Sequence, residues 1–245
     1  MEINNMLLKI ALNGTRPKSE NEYLPQSLNE IEKEVTPLYK NGYKVFHIHC
    51  YDSNGIESLK PEDVNKLVSR VKNISSDIQI GISTGDWIEP DFEKRICYIK
   101  DWQFVPDFAS VNMIEENVIE ISNVLISKGV LVEVGLNEKK AAEIFVKSNL
   151  DSGCYRILIE PEEENIAAAI NTISEIENIL DTNKITIKRL LHGFNSVSWD
   201  ILREAKKRGY DGRIGMEDTI YLENGIKVTS NLEIVNEASK IINAT

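Results

Sequence analysis

Of the chain's three histidines, two stand one residue apart, in the run Lys44-Val45-Phe46-His47-Ile48-His49-Cys50-Tyr51-Asp52. A β-strand alternates its faces, so His47 and His49 point to the same side with Cα atoms roughly 6.6 Å apart, and two such imidazoles can share one zinc at about 2.1 Å from each nitrogen. Ile48 and Cys50 take the opposite face, which makes Cys50 a packing residue rather than a ligand. The competing reading is a pair of histidines that merely share a strand face. A catalytic zinc commonly takes three protein ligands and keeps one position open, so the natural third ligand is a carboxylate from another part of the chain. On spacing alone Glu217, Glu133 and Asp52 all qualify.

These residues need a scaffold, and the chain repeats one unit throughout, a strand followed by a helix. Leu7 to Asn13 reads as a strand, and Ser27 with Glu30 three residues later is a capping box opening a helix that runs to about Lys40. The histidine strand follows. Pro61 starts a helix with Val64, Leu67, Val68 and Val71 on one face, and Ile78 to Ser83 is the next strand. The alternation continues with a helix over 90–101, strand 108–111, helix 116–127, strand 130–134, helix 138–147 and strand 155–159. A helix over 162–180, with Ile166, Ile170, Ile173 and Ile176 inward, precedes strand 185–191. Helix 199–208, stopped by Gly209, strand 212–215 and helix 231–243 complete the chain.

Eight strand-helix pairs imply a parallel sheet, and within 245 residues they fit a closed α/β architecture, a single (β/α)₈ TIM barrel over residues 1–245, better than an open doubly wound sheet. No Gly-x-Gly-x-x-Gly follows the first strand, which argues against dinucleotide binding. A TIM barrel places its chemistry at the C-terminal ends of the strands. The polar residues expected there are Asn13, Arg16, His47, His49, Ser83, Thr84, Ser110, Asn112, Glu133, Glu160, His192, Arg213, Glu217 and Asp218. Glu160 and His192 read as polar residues where strand ends meet water.

Composition narrows the partners. A net charge of −11 argues against nucleic acid or an anionic membrane surface. There is no secretion signal or membrane-length apolar run, and three scattered cysteines exclude a disulfide framework or cysteine zinc cluster, so a cytoplasmic protein is expected.

Several short motifs then fall into a familiar order: Ala11-Leu12-Asn13-Gly14-x-Arg16, His47-Ile48-His49-x-x-Asp52, Ser83-Thr84-Gly85, Ser110-Val111-Asn112, Gly129-x-x-Val132-Glu133-x-Gly135, and Arg213-Ile214-Gly215-Met216-Glu217-Asp218-Thr219. Together they resemble the β-keto acid cleavage enzymes, the family of 3-keto-5-aminohexanoate cleavage enzyme. The resemblance implies a zinc-dependent TIM barrel, a homo-oligomer (dimer or tetramer), that transfers the acyl part of a β-keto acid to the CoA of acetyl-CoA and releases acetoacetate. By position it implies His47, His49 and Glu217 as zinc ligands and Arg213 with Asp218 as the dyad that deprotonates the substrate. It likewise implies Asn13, Arg16, Ser83, Asp86, Ser110 and Asn112 as substrate-pocket residues, with Glu133 nearby.

The chain departs from the family pattern at Tyr51, Asp86 and Arg16. Arg16 stands where the aminohexanoate-cleaving enzyme has a glutamate suited to a substrate ammonium; a guanidinium there favours a second carboxylate or a neutral polar tail. Two other readings use the same barrel: a zinc-dependent hydrolase, and a ligand-binding relative without turnover.

Overall fold

A computed structural model describes residues 6–244. Eight strands form a closed, all-parallel barrel in sequence order: β1 (Leu8–Ala11), β2 (Val45–His47), β3 (Gln79–Ser83), β4 (Phe108–Asn112), β5 (Leu131–Leu136), β6 (Cys154–Ile159), β7 (Arg189–Leu191) and β8 (Asp211–Ile214). The helices α1 (Leu28–Lys40), α2 (Pro61–Lys72), α3 (Phe92–Asp101), α4 (Val118–Ser127), α5 (Lys139–Ser148), α6 (Ile166–Thr182), α7 (Ser198–Arg208) and α8 (Asn231–Asn243) alternate with them. Closure comes from β1 pairing with β8, Leu8 opposite Gly212 and Ile10 opposite Ile214. The expected (β/α)₈ barrel is the fold, and no helix among the described residues is long and apolar enough to cross a membrane.

Local chemistry explains most element ends. Ser27 and Glu30 form the full capping box at the start of α1, satisfying two backbone donors that the first helical turn leaves open. Gly209 ends α7 in the left-handed conformation, which a residue without Cβ adopts at little cost. Helix α6 begins at Ile166 rather than 162 because the Asn165 side chain accepts from the amides of Ala167 and Ala168 at 2.9 and 3.2 Å. Its buried stripe is correspondingly Ala169, Thr172, Ile173, Ile176 and Leu180, with Ile166 and Ile170 only at the margin. Strand β7 is shorter than expected: the amide of Ile185 still bonds the Leu180 carbonyl of the preceding helix, so pairing with β6 begins only near Lys188.

Two small hairpins rise from the C-terminal face, just after β2 and just after β8. Each closes on an Asn-Gly turn, Asn54-Gly55 and Asn224-Gly225, with Tyr51 bridged to Glu57 in the first and Tyr221 to Lys227 in the second. Gly55 and Gly225 end these three-residue loops in the left-handed conformation, φ +77° and +80°, which glycine adopts at little cost. Both hairpins therefore sit beside the strand ends that carry His47 and Glu217.

Glu133 does not line the cleft at the strand ends. It points into the barrel interior, fully buried, where its carboxylate pairs with Lys9 and, at 3.3 Å, with Arg156. Barrel strands tilt and stagger, and this brings a mid-strand residue of β5 level with Lys9 of β1 rather than with the strand ends above. Removing one member of a buried ion cluster leaves uncompensated charge. Glu133→Gln is therefore expected to cost about 3–5 kcal/mol, read as a lower urea midpoint; a loss under about 1 kcal/mol would mean the two cations find another partner.

Candidate active site

The strand ends surround a cleft of about 470 Å³ lined by residues that include Arg16, His47, His49, Ser83, Ser110, Asn112, Glu160, Arg213 and Glu217. His47 closes β2, and His49 lies two residues beyond it. The two rings meet edge to face with centroids 5.1 Å apart. Glu217 approaches from the β8 loop, with its carboxylate oxygens 3.5 Å from His49 Nε2 and 3.9 Å from His47 Nε2. Among the described residues these three form the one cluster whose donor atoms all lie within 4.8 Å of one another.

The backbone is built to hold them. The Asn13 side chain accepts from the His49 amide at 2.8 Å and donates to the His49 carbonyl at 3.0 Å, so it fixes the main chain of that residue. Its remaining bonds go to Pro25 and Gly14, which leaves Asn13 a buried positioning residue and not a wall of the cleft. Gly14 has φ +62°, and a Cβ there would fall 2.3 Å from Glu217 Cγ. Only glycine allows both that conformation and that approach.

His49 Nδ1 is hydrogen-bonded to the Glu57 carboxylate, whose other oxygen accepts from Trp87 Nε1 at 3.1 Å. Trp87 in turn stacks on His49, ring planes 22° apart. A carboxylate behind one imidazole nitrogen fixes the tautomer and turns the other nitrogen toward a cation. The first hairpin carries Glu57 back to His49, and the Asn-Gly turn between them was the sequence signal for it. Glu217 Oε2, a buried oxygen of the cluster, has no hydrogen-bond partner, as expected of a group whose partner is an ion.

Two of the three groups already have the charge state a metal ligand needs, and His49 reaches it by releasing one proton when an ion binds. Burial drives His47 well below the usual histidine range, with Arg213, His49 and Lys9 adding to it, so that imidazole is neutral. Burial also works against charge on His49, but Glu217 and Glu57 outweigh it and hold the group at about 9. Burial opposes ionisation of Glu217 too, yet Arg213 and the two histidines keep it well below the carboxylate range.

Arg213 donates to both carboxylates that follow it, contacting Glu217 and reaching Asp218 Oδ1 at 2.8 Å and Oδ2 at 3.4 Å. Burial disfavours its charge, but Asp218 and Glu217 more than restore it, so the guanidinium stays charged. Arg213 faces the cleft, whereas Asp218 lies behind it with no exposed surface. Ser83 and Ser110, neighbours across β3 and β4, and Asn112 line the wall. Asp86 is exposed outside the cleft lining, because the chain turns outward after Gly85.

Arg16 lines the cleft with four of its five N–H donors already in use. Its Nε donates to the Glu217 carbonyl at 3.0 Å and its terminal nitrogens to Glu20, Asn195 and the Asp218 carbonyl. The guanidinium thus ties the first loop to the β8 loop, and Glu20 offsets its charge. His192 and Glu160 belong to the site rather than to a wet strand end. His192 is fully buried between Glu160 and Asp218, and Glu160 faces the cleft. Their strand positions alone gave no sign of the contact, which depends on β6, β7 and β8 being adjacent.

Comparison with known proteins matches this arrangement to one family. The family model for the beta-keto acid cleavage enzymes matches residues 5–185 and 158–245. The 3-keto-5-aminohexanoate cleavage enzyme of Acetoanaerobium sticklandii is 24% identical over 247 residues, covering 91% of this chain and 86% of that protein. The enzyme of the same name from Fusobacterium nucleatum subsp. nucleatum is 23% identical with the same coverage. Among solved structures, the ternary complex of ObcA with a C4-CoA adduct and oxalate superposes with a TM-score of 0.72 at 13% identity. That match covers 89% of this chain and 63% of ObcA, so the chain spans less than two thirds of it, and the likeness is one of fold. The match of the family model over most of the length makes the chain a member of the beta-keto acid cleavage enzyme family.

Proposed function

We propose that the chain is a zinc-dependent acyltransferase that condenses a β-keto acid with acetyl-CoA, releasing acetoacetate and a new acyl-CoA. The observation that carries this reading is the convergence of His47, His49 and Glu217 in a cleft lined by Arg213, with Asp218 buried directly behind that guanidinium. A divalent ion held by those three donors would supply Lewis acidity to the keto oxygen and stabilise the charge that develops when C2 loses its proton. The three donors suit it: one neutral imidazole, one imidazole oriented by a carboxylate, and one ionised carboxylate.

The remaining work falls to the chain's own groups. Arg213 offers a cation to the substrate carboxylate and keeps Asp218 ionised and oriented. Asp218 accepts the C2 proton and later supplies a proton to the acetoacetate formed. Because Asp218 is covered in the substrate-free chain, substrate binding has to draw Arg213 aside before the carboxylate and C2 meet. Ser83, Ser110 and Asn112 provide neutral hydrogen-bonding groups along the wall. Four of the five N–H donors of Arg16 are already committed, and Glu20, Glu160 and Glu162 also line the cleft. A second substrate carboxylate is therefore disfavoured, and a neutral or cationic tail fits better. A two-metal hydrolase finds no second cluster among the described residues.

The test is to incubate the metal-loaded protein with acetyl-CoA and a panel of β-keto acids and to assay acetoacetate. Formation with a neutral or amino-substituted acid, and little with 3-oxoglutarate or 3-oxoadipate, is the expected pattern. Preference for the dicarboxylic acids would show that Arg16 gives up its partners to the substrate. The Glu57 contact makes its own prediction. Loss of such a carboxylate behind a ligating histidine typically weakens metal binding about 10- to 100-fold, and Glu57→Gln should do so in competition with a chromogenic chelator. Affinity unchanged from wild type would show that His49 is oriented by something else.

A further inference from the structure

A proton placed on Asp218 has no direct way to water, since the carboxylate has no exposed surface. On the cleft side it is covered by Arg213, which cannot pass a proton on because a guanidinium does not deprotonate in proteins, and by the substrate itself once Arg213 is drawn aside. On the other side stands His192. Its Nδ1 lies 3.3 Å from Asp218 Oδ1 and has no hydrogen-bond partner, whereas its Nε2 bonds Glu160 Oε2 at 3.0 Å. In the tautomer with the proton on Nε2, which Glu160 accepts, Nδ1 presents a lone pair toward Asp218. Phe194 meets the imidazole edge to face at 4.9 Å and packs it in place.

Glu160 is the end of this chain of contacts that faces the cleft, with its side chain 14% exposed. Space has been left for it. A Cβ on Gly135 of the neighbouring strand would fall 2.1 Å from Glu160 Oε1, so the carboxylate occupies room that any other residue at position 135 would take.

We infer that His192 and Glu160 are the route by which the substrate's C2 proton leaves Asp218 and returns to it. This rests on the reading of Asp218 as the proton acceptor. Once Asp218 carries the proton, its O–H bond breaks as Nδ1 takes the proton, and the Nε2–H bond breaks as Glu160 Oε2 takes the second. Glu160 then exchanges its proton with water in the cleft. The return runs in reverse, Glu160 to Nε2 and Nδ1 to Asp218, when the carbon is reprotonated. No net proton is made or lost, and His192 recovers its starting tautomer. His192 acts through its two neighbours and is a positioning, proton-passing residue.

The route predicts which variants uncouple carbon chemistry from solvent. The experiment follows exchange of the C2 hydrogens of acetoacetate in D2O by proton NMR, with metal-loaded protein and the uncatalysed rate subtracted. His192→Gln and Glu160→Gln keep a hydrogen-bonding group in place but cannot relay, and each is expected to slow catalysed exchange at least tenfold. The loss should fall in the maximum rate, with half-saturating acetoacetate within threefold of wild type and metal content unchanged; a merely structural role would lower binding or metal content as well. Gly135→Ala, which pushes the Glu160 carboxylate away while leaving His192 intact, should slow exchange too and serves if His192→Gln does not fold. Exchange lost in Asp218→Asn but within twofold of wild type in the other variants would overturn the route and leave Asp218 as acceptor. Wild-type exchange in Asp218→Asn would instead overturn the reading of Asp218 itself.

Discussion

Asp218→Asn is expected to lower turnover with the best β-keto acid by about 10²- to 10⁴-fold, the usual loss when a general base is removed. Metal content should stay at about one ion per chain, because Asp218 contributes no donor to the cluster of His47, His49 and Glu217. The substitution is gentle in shape. Arg213 keeps Glu217 as a charged partner and an amide oxygen as an acceptor where the Asp218 carboxylate stood. Steady-state kinetics beside elemental analysis therefore separates the chemical role from a structural one. A variant within a fewfold of wild type would make Asp218 a support for Arg213 and His192 and would move the proton acceptor elsewhere.

His49→Ala should have the second large effect, on metal rather than on rate alone. With three donors reduced to two, ion content is expected to fall from about one per chain to under about a tenth. The fold should survive, because Asn13 grips residue 49 through its backbone amide and carbonyl, which the substitution leaves untouched. Circular dichroism would check that. An unchanged ion content in a folded His49→Ala protein would place the ion on other groups.

Much of this molecule is legible in its sequence because the signals are local. The capping box at Ser27 and Glu30, the stripe Val64, Leu67, Val68 and Val71, and the stop at Gly209 each follow from a few neighbouring residues. Their alternation was enough to give the barrel. The paired histidines were legible for the same reason, since strand alternation alone puts them on one side.

What escaped depends on the closed sheet. Glu133 has the position of a strand-end carboxylate in the sequence, yet strand stagger buries it against Lys9 and Arg156. Asn13 looks like a pocket residue and is spent on the His49 backbone. Arg16 looks like a substrate reader, but it is held by Glu20 nearby and by Asn195 and the β8 loop about 180 to 200 positions away. His192 and Glu160 gain their meaning only when three strands stand side by side. Each is a contact between residues far apart in the chain, for which periodicity carries no signal.

The most direct test of the proposed reaction follows one carbon. Acetyl-CoA labelled with ¹³C at the acetyl carbonyl, incubated with the metal-loaded protein and its best β-keto acid, should give acetoacetate labelled at C3, because the acetyl group becomes the distal half of the product while the original acyl group leaves on CoA. Acetoacetate without label, or release of free acid with acetyl-CoA left intact, would contradict acyl exchange and point to simple hydrolysis of the β-keto acid on the same barrel.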